Sequence, residues 1–141
     1  MKKYIFPVCI MWLMIACKPK PEPIKYGYDS CDFCRMTIVD KRFGGELITS
    51  KGKVYKFDSI DCLDSFYHSA HESFAYVLFV DYNQPGTLIP AKDAYLLYSP
   101  QLHSPMGEGV AAFTDKQQAE EMQKKYGGEI KRCPLSFNNQ P

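Results

Sequence analysis

Between residues 46 and 132 the apolar positions follow one rhythm twice. Glu46-Leu47-Ile48-Thr49 and Val54-Tyr55-Lys56-Phe57 are short runs rich in β-branched and aromatic residues, and the intervening Lys51-Gly52 predicts a hairpin. A helix start follows at Asp58 or Ser59, with Asp61 in the first turn. Ile60, Leu63, Tyr67 and Ala70 then recur at spacings of three and four, which puts them on one helical face. Ala75 to Val80 is an unbroken apolar run that predicts a buried strand. In the second stretch Ala94–Tyr98 and Val110–Phe113 read as strands, and Thr114 with Gln117 has the capping-box pattern. Ala119, Met122 and Tyr126 form the next apolar face, flanked by the pairs Glu120–Lys124 and Glu121–Lys125. Gly127-Gly128 ends that helix, and Glu129–Arg132 predicts a last short strand.

Phe57-Asp58 and Phe113-Thr114 occupy equivalent corners 56 positions apart. The expected fold class is therefore α+β, built as two tandem ββαβ units. The first spans residues 29–82 and the second 91–133, with Tyr82 to Pro90 as the connection. The two differ in one respect. The first hairpin turns tightly, whereas the second carries Ser99 to Glu108, a long loop holding His103, Pro105 and Met106. Long loops inside compact domains are often functional.

The flanks have a different composition. Lys2 and Lys3 precede an apolar run from Ile5 to Ile15 that is too short to span a bilayer. Met14-Ile15-Ala16-Cys17 resembles a bacterial lipobox, with Met14 where leucine is usual. The resemblance implies a signal peptide over residues 1–16 and lipidation of Cys17. The proline-rich Lys18-Pro19-Lys20-Pro21-Glu22-Pro23 makes 17–28 a semi-rigid tether, with a reach on the order of 30 Å from Lys18 to Tyr28. Residues 134–141 are expected to form a disordered tail.

Of the 17 basic residues, Lys2 and Lys3 leave with the leader, so 15 face 16 acidic ones. With no basic stripe, nucleic acid is not an expected partner. No Ser-His-Asp set, phosphate-binding glycine loop or spaced carboxylate pair is present, so enzymatic chemistry is poorly supported.

Two of the six cysteines, Cys9 and Cys17, belong to the leader and the lipidation site. Export exposes the other four, Cys31, Cys34, Cys62 and Cys133, to an oxidising compartment. Their pairing is not fixed by sequence. Cys31-Asp32-Phe33-Cys34-Arg35-Met36 gathers two thiols and a thioether, soft donors that select Cu(I). A thioredoxin-like redox pair needs a preceding strand and a helix N-terminus, but here a loop precedes and the strand-like Met36–Val39 follows. Structural zinc needs four ligands, and no second Cys-x-x-Cys exists. A fixed Cys31–Cys34 disulfide remains open. Met106, in a polar turn bounded by proline, is a second candidate thioether, and His103 a candidate nitrogen donor. Cys62 is expected to be a buried inert thiol or the disulfide partner of Cys133, with a ligand role the minority reading. His68 and His71 are expected to be solvated.

Three motifs in order resemble the nitrous oxide reductase accessory lipoproteins, the NosL family. They are Cys31-Asp32-Phe33-Cys34-Arg35-Met36, Phe57-Asp58-Ser59-Ile60-Asp61-Cys62-Leu63, and Ser104-Pro105-Met106-Gly107 ahead of Val110-Ala111-Ala112-Phe113. The resemblance implies a pair of ββαβ units distantly like organomercurial lyase. It also implies a copper protein anchored to the bacterial cell envelope, at the outer membrane facing the periplasm. Its implied role is to deliver Cu(I) for the copper–sulfide centre of nitrous oxide reductase, in concert with an ABC-type maturation complex. Cys34, Met36 and Met106 carry over most directly as copper ligands, with Cys31 next and His103 after it. One Cu(I) per monomer with little zinc retention is the expected behaviour. The competing readings are a thiol–disulfide or mercury–carbon-cleaving enzyme, and a copper-independent lipoprotein with a structural disulfide.

Overall fold

The computed structural model describes residues 18–133. The leader, Cys17 and the tail from residue 134 lie outside the described residues. Strands β1 (Gly45–Thr49) and β2 (Val54–Phe57) form the first hairpin, with Leu47 opposite Tyr55. Its turn is closed by the Gly52 N–H donating to the Thr49 carbonyl at 2.9 Å. Helix α1 (Ile60–Ser69) starts where the Ser59 hydroxyl accepts from the Cys62 N–H at 3.1 Å, an N-cap that satisfies one of the orphan donors of the first turn. Strand β3 (Phe74–Val80) then returns antiparallel beside β1.

The second unit repeats the pattern. Strands β5 (Tyr95–Tyr98) and β6 (Val110–Phe113) pair, helix α2 (Lys116–Tyr126) follows, and β7 (Glu129–Arg132) returns beside β5. In both sheets the first strand of the hairpin lies in the middle, giving β2-β1-β3 and β6-β5-β7. That shared order is the tandem ββαβ arrangement expected from the sequence.

Three details depart from the sequence reading. The connection contains a short strand, β4 (Leu88–Pro90), paired with β3 at the sheet edge and followed by a 3-10 turn at Ala91–Asp93. Three residues ending in proline carry no periodic signal, and proline in a sheet is confined to such edges. The N-cap of α2 is Asp115, whose carboxylate accepts from the Gln117 N–H at 2.9 Å, and not Thr114. The Thr114 hydroxyl instead donates to the buried Asp81 carboxylate at 2.6 Å. Along α2 the ion pair that forms is Lys116–Glu120, at 3.1 Å.

One apolar core joins the two sheets, combining Leu47, Phe57, Leu63 and Phe79 with Leu96, Val110 and Ala112. A second gathers Phe43, Leu97, Phe113 and Ala119. The chain leaving β3 is fastened to β6 by the Tyr82 N–H donating to the Ala112 carbonyl at 2.9 Å.

The proline-rich segment is docked from Glu22 onward. The Glu22 N–H donates to Glu46 Oε2 at 3.2 Å, and Lys56 Nζ donates to the Pro23 carbonyl at 3.1 Å and to Asp29 Oδ2 at 2.8 Å. Ile24 and Tyr26 pack against the core. From Glu22 onward the segment expected to be a tether is therefore packed on the domain.

Glu46, in the middle of β1, is fully buried, and its Oε1 has no partner among the described residues. Burial is the main cause that pushes its carboxyl up to about 7, from an ordinary value of 4.5. The folded state therefore favours the protonated form. Stability from this group is fully present below about pH 4.5 and is lost as the pH rises towards 7. Glu46→Gln keeps an acceptor for the Glu22 N–H and removes the charge. We expect it to stabilise the protein at pH 8 by on the order of 1–3 kcal/mol and to flatten the pH dependence of urea unfolding between pH 4.5 and 7.

Candidate metal centre

The Cys31–Met36 segment is the loop of a small hairpin formed ahead of β1. The Gly27 N–H donates to the Ile38 carbonyl at 2.8 Å, that of Ile38 to the Asp29 carbonyl at 2.9 Å, and that of Cys31 to the Met36 carbonyl at 2.8 Å. Within it the Arg35 N–H closes a tight turn on the Cys31 carbonyl at 3.0 Å. Arg35 sits at φ 66, the left-handed region. A non-glycine residue there carries backbone strain, on the order of 1–2 kcal/mol, at the base of the sulfur loop.

Asp32 pins this loop to the main sheet. Its N–H donates to the Lys56 carbonyl, and its carboxylate accepts from the Lys56 N–H, both at 2.8 Å. The loop is thereby laid on the end of β2, where the chain turns through Asp58 and Ser59 into α1. Asp58 stands just before the N-cap and Cys62 in the first helical turn, so both side chains meet the loop.

The result is a compact set of donors. One ligand atom each from Cys31, Cys34, Asp58 and Cys62 lies within 4.8 Å of all the others. Cys31, Cys62 and Asp58 are buried and Cys34 is half-buried, so the set is reached from the Cys34 side. The Cys34 thiol donates to Asp58 Oδ2 at 3.4 Å, while Asp58 Oδ1 has no partner among the described residues. All four described cysteines are free thiols. The Cys62–Cys133 disulfide entertained from sequence is not formed, and Cys62 instead joins the Cys-x-x-Cys pair.

Opposing influences act on these sulfurs. Burial pushes the Cys31 thiol up, while the backbone N–H groups of Asp58, Cys34 and Phe33 favour its thiolate. Burial also raises Cys62, and the neighbouring charges of Cys31 and Asp58 add to the rise against the Ser59 hydroxyl. Thiols kept neutral by burial release their protons when a metal cation enters to offset the charge. Cys133 is pushed up to about 12 by burial and the Asp64 charge, and it stands outside the cluster.

Met36 and Met106, the two expected thioethers, are both about half exposed, at 53% and 44%. Met106 sits at the tip of the 99–108 loop. That loop is ordered by the Gly107 N–H donating to the Ser104 carbonyl at 2.9 Å, by the Gly109 N–H donating to the Ser104 hydroxyl at 3.0 Å, and by buried Leu102. Its far end faces α1. Glu108 and Asp61 line one cleft with Asp64, and burial followed by the Glu108 charge raises the Asp61 carboxyl to about 6. His103 is not in the four-residue cluster and lines a separate cleft with Arg42, Phe43, Tyr82 and Tyr126. His68 is exposed and lies 3.3 Å from Asp64 one turn earlier.

Residues 25–134 match the family model named NosL. This chain belongs to the NosL family. No curated protein sequence matches it. Among solved structures it is similar to the crystal structure of the copper chaperone NosL from Shewanella denitrificans, at 27% identity and a TM-score of 0.71. The match covers 80% of this chain and 92% of that one. Set beside the NosL fold, Asp58 and Cys62 are the donors that the Cys-x-x-Cys-x-Met motif does not name. Both lie in the Phe57–Leu63 motif that carries part of the family resemblance, but only the fold shows that a spacing of four across the Ser59 cap brings them to the sulfur loop.

Proposed function

We propose that this NosL protein binds Cu(I) through the Cys31–Met36 loop and carries it, on a lipid anchor at Cys17, to the assembly of the copper–sulfide centre of nitrous oxide reductase. The observation that carries the reading is the convergence of three thiols, from Cys31, Cys34 and Cys62, in a chain similar to a solved copper chaperone. Thiolates and thioethers are the donors that select Cu(I) over harder ions.

The gradient of exposure suits a carrier. Cys31 is fully buried and would anchor the ion from inside, Cys34 is half-buried, and Met36 is half-exposed. Cu(I) accepts low coordination, so a recipient's ligands can replace Met36 and Cys34 one at a time while Cys31 still holds the ion. Met106, from the second unit, is the thioether that would complete the shell, whereas His103 lines a separate cleft and is left out of it. The ABC-type maturation complex and nitrous oxide reductase are the proposed recipients, and the chain itself is proposed to sit at the periplasmic face of the outer membrane.

The test is a competition of the reduced protein against a chromogenic Cu(I) chelator. We expect one Cu(I) per chain, a loss of affinity of at least thirtyfold for Cys34→Ser, and a loss of about tenfold for Met106→Leu. Unchanged affinity in both variants would remove this site from the account.

A further inference from the structure

Asp58 is not explained by Cu(I) chemistry. A carboxylate oxygen is a hard donor that contributes little to a soft monovalent ion. Yet Asp58 is only 2% exposed, accepts at 3.4 Å from the Cys34 thiol, and leaves Oδ1 without a partner among the described residues. A buried carboxylate with an orphaned oxygen beside three thiols is a costly arrangement unless a cation completes it.

The four donors have the composition and closure of a tetrahedral divalent site. Zinc takes Cys sulfur at about 2.3 Å and carboxylate oxygen at about 2.0–2.2 Å, which places neighbouring donors about 3.5–3.8 Å apart. Cys34 Sγ and Asp58 Oδ2 already stand at 3.4 Å, and all four donors lie within 4.8 Å. Small side-chain rotations close the set. The sequence alone offers zinc only Cys31 and Cys34, hence the expectation of little zinc retention; Cys62 and Asp58 supply the third and fourth ligands.

We propose that the Cys31–Cys34–Asp58–Cys62 cluster is a Zn(II) site occupied when copper is absent, and that Cu(I) displaces the zinc on loading. Zinc enters as the three thiols release their protons to solvent, leaving an S3O shell. Cu(I) then takes the thiolates and leaves Asp58 behind. In an oxidising compartment zinc would also keep three adjacent thiols from forming disulfides, since the metal holds the sulfur lone pairs. This inference rests on the copper-carrier reading for its second half only.

The experiment uses the mature full chain, reduced and anaerobic, titrated with Zn(II) against a chromogenic zinc chelator and then with Cu(I). We expect one zinc per chain, a zinc X-ray absorption edge fitted by three sulfurs and one oxygen, and release of that zinc by one equivalent of Cu(I). Asp58→Asn, nearly isosteric, should lower zinc affinity at least tenfold more than it lowers Cu(I) affinity. Cys133→Ser, outside the cluster, serves as the control and should leave the zinc shell unchanged. Failure to retain zinc, a shell dominated by nitrogen and oxygen, or equal losses for both metals in Asp58→Asn would each overturn the proposal. If copper binds and zinc does not, this inference alone falls. If neither binds, the carrier reading falls with it.

Discussion

Replacing Cys31 with serine is expected to lower Cu(I) affinity by at least a hundredfold, about 2.8 kcal/mol. Cys31 is the fully buried sulfur of the cluster, and three backbone N–H groups support its thiolate. A serine hydroxyl has the same shape but is a hard, protonated donor that Cu(I) does not favour. Cys34 is half-exposed, so water and Met36 can take part of its place, and its loss should cost less. The ordering Cys31 above Cys34 is therefore part of the expectation. Chelator competition measures both, and circular dichroism shows whether each variant keeps its fold. A change below threefold for Cys31→Ser in a folded protein would contradict the anchoring role.

Gly44→Ala should have a large effect on stability. Gly44 sits at φ +97, and an added Cβ would lie 2.2 Å from the Phe57 carbonyl oxygen and 3.2 Å from the Asp58 backbone carbon. Left-handed backbone and a collision with main chain act together, so a loss of about 3 kcal/mol or more is expected, with a Tm lower by about 15 °C. The collision falls on the corner that holds Asp58, so metal binding should weaken in whatever fraction stays folded. Gly27, at φ +83 with nothing within 4 Å of a Cβ, isolates the conformational part. Gly27→Ala should cost only on the order of 1–2 kcal/mol. Equal thermal shifts in the two variants would show that the Phe57 contact is relieved by a small backbone movement.

The parts of the fold written in the sequence are those fixed by local chemistry. Lys51-Gly52 sets the first turn, Ser59 caps α1, and Gly127-Gly128 stops α2, each within a few residues of the element it shapes. The unread parts depend on contacts between distant segments. Strand β4 exists because β3 offers it a free edge, and Leu88-Ile89-Pro90 alone has no period to detect. The docking of Glu22 to Tyr26 depends on Glu46 and Lys56, more than twenty residues away.

The candidate site divides the same way. Cys31-x-x-Cys34-x-Met36 is legible because its donors are close in sequence. Asp58 and Cys62 join it only because Asp32 ties the sulfur loop to Lys56 at the end of β2, a contact across 24 residues. The helical pattern assigned Cys62 to the edge of an apolar face, which is true of its burial and says nothing of the loop laid over it. The duplication also hid Asp58. Its counterpart Thr114 bonds to Asp81 and faces no sulfur loop, so equivalence between the halves stops where the chemistry starts.

The measurement that tests the central claim most directly is copper-edge X-ray absorption on the Cu(I)-loaded protein. The account predicts a first shell made of sulfur, two or three neighbours from Cys31, Cys34 and a thioether or Cys62, with no nitrogen or oxygen at bonding distance. A shell dominated by nitrogen or oxygen, as from His103, His68 or carboxylates, would contradict it and place the copper elsewhere on the molecule.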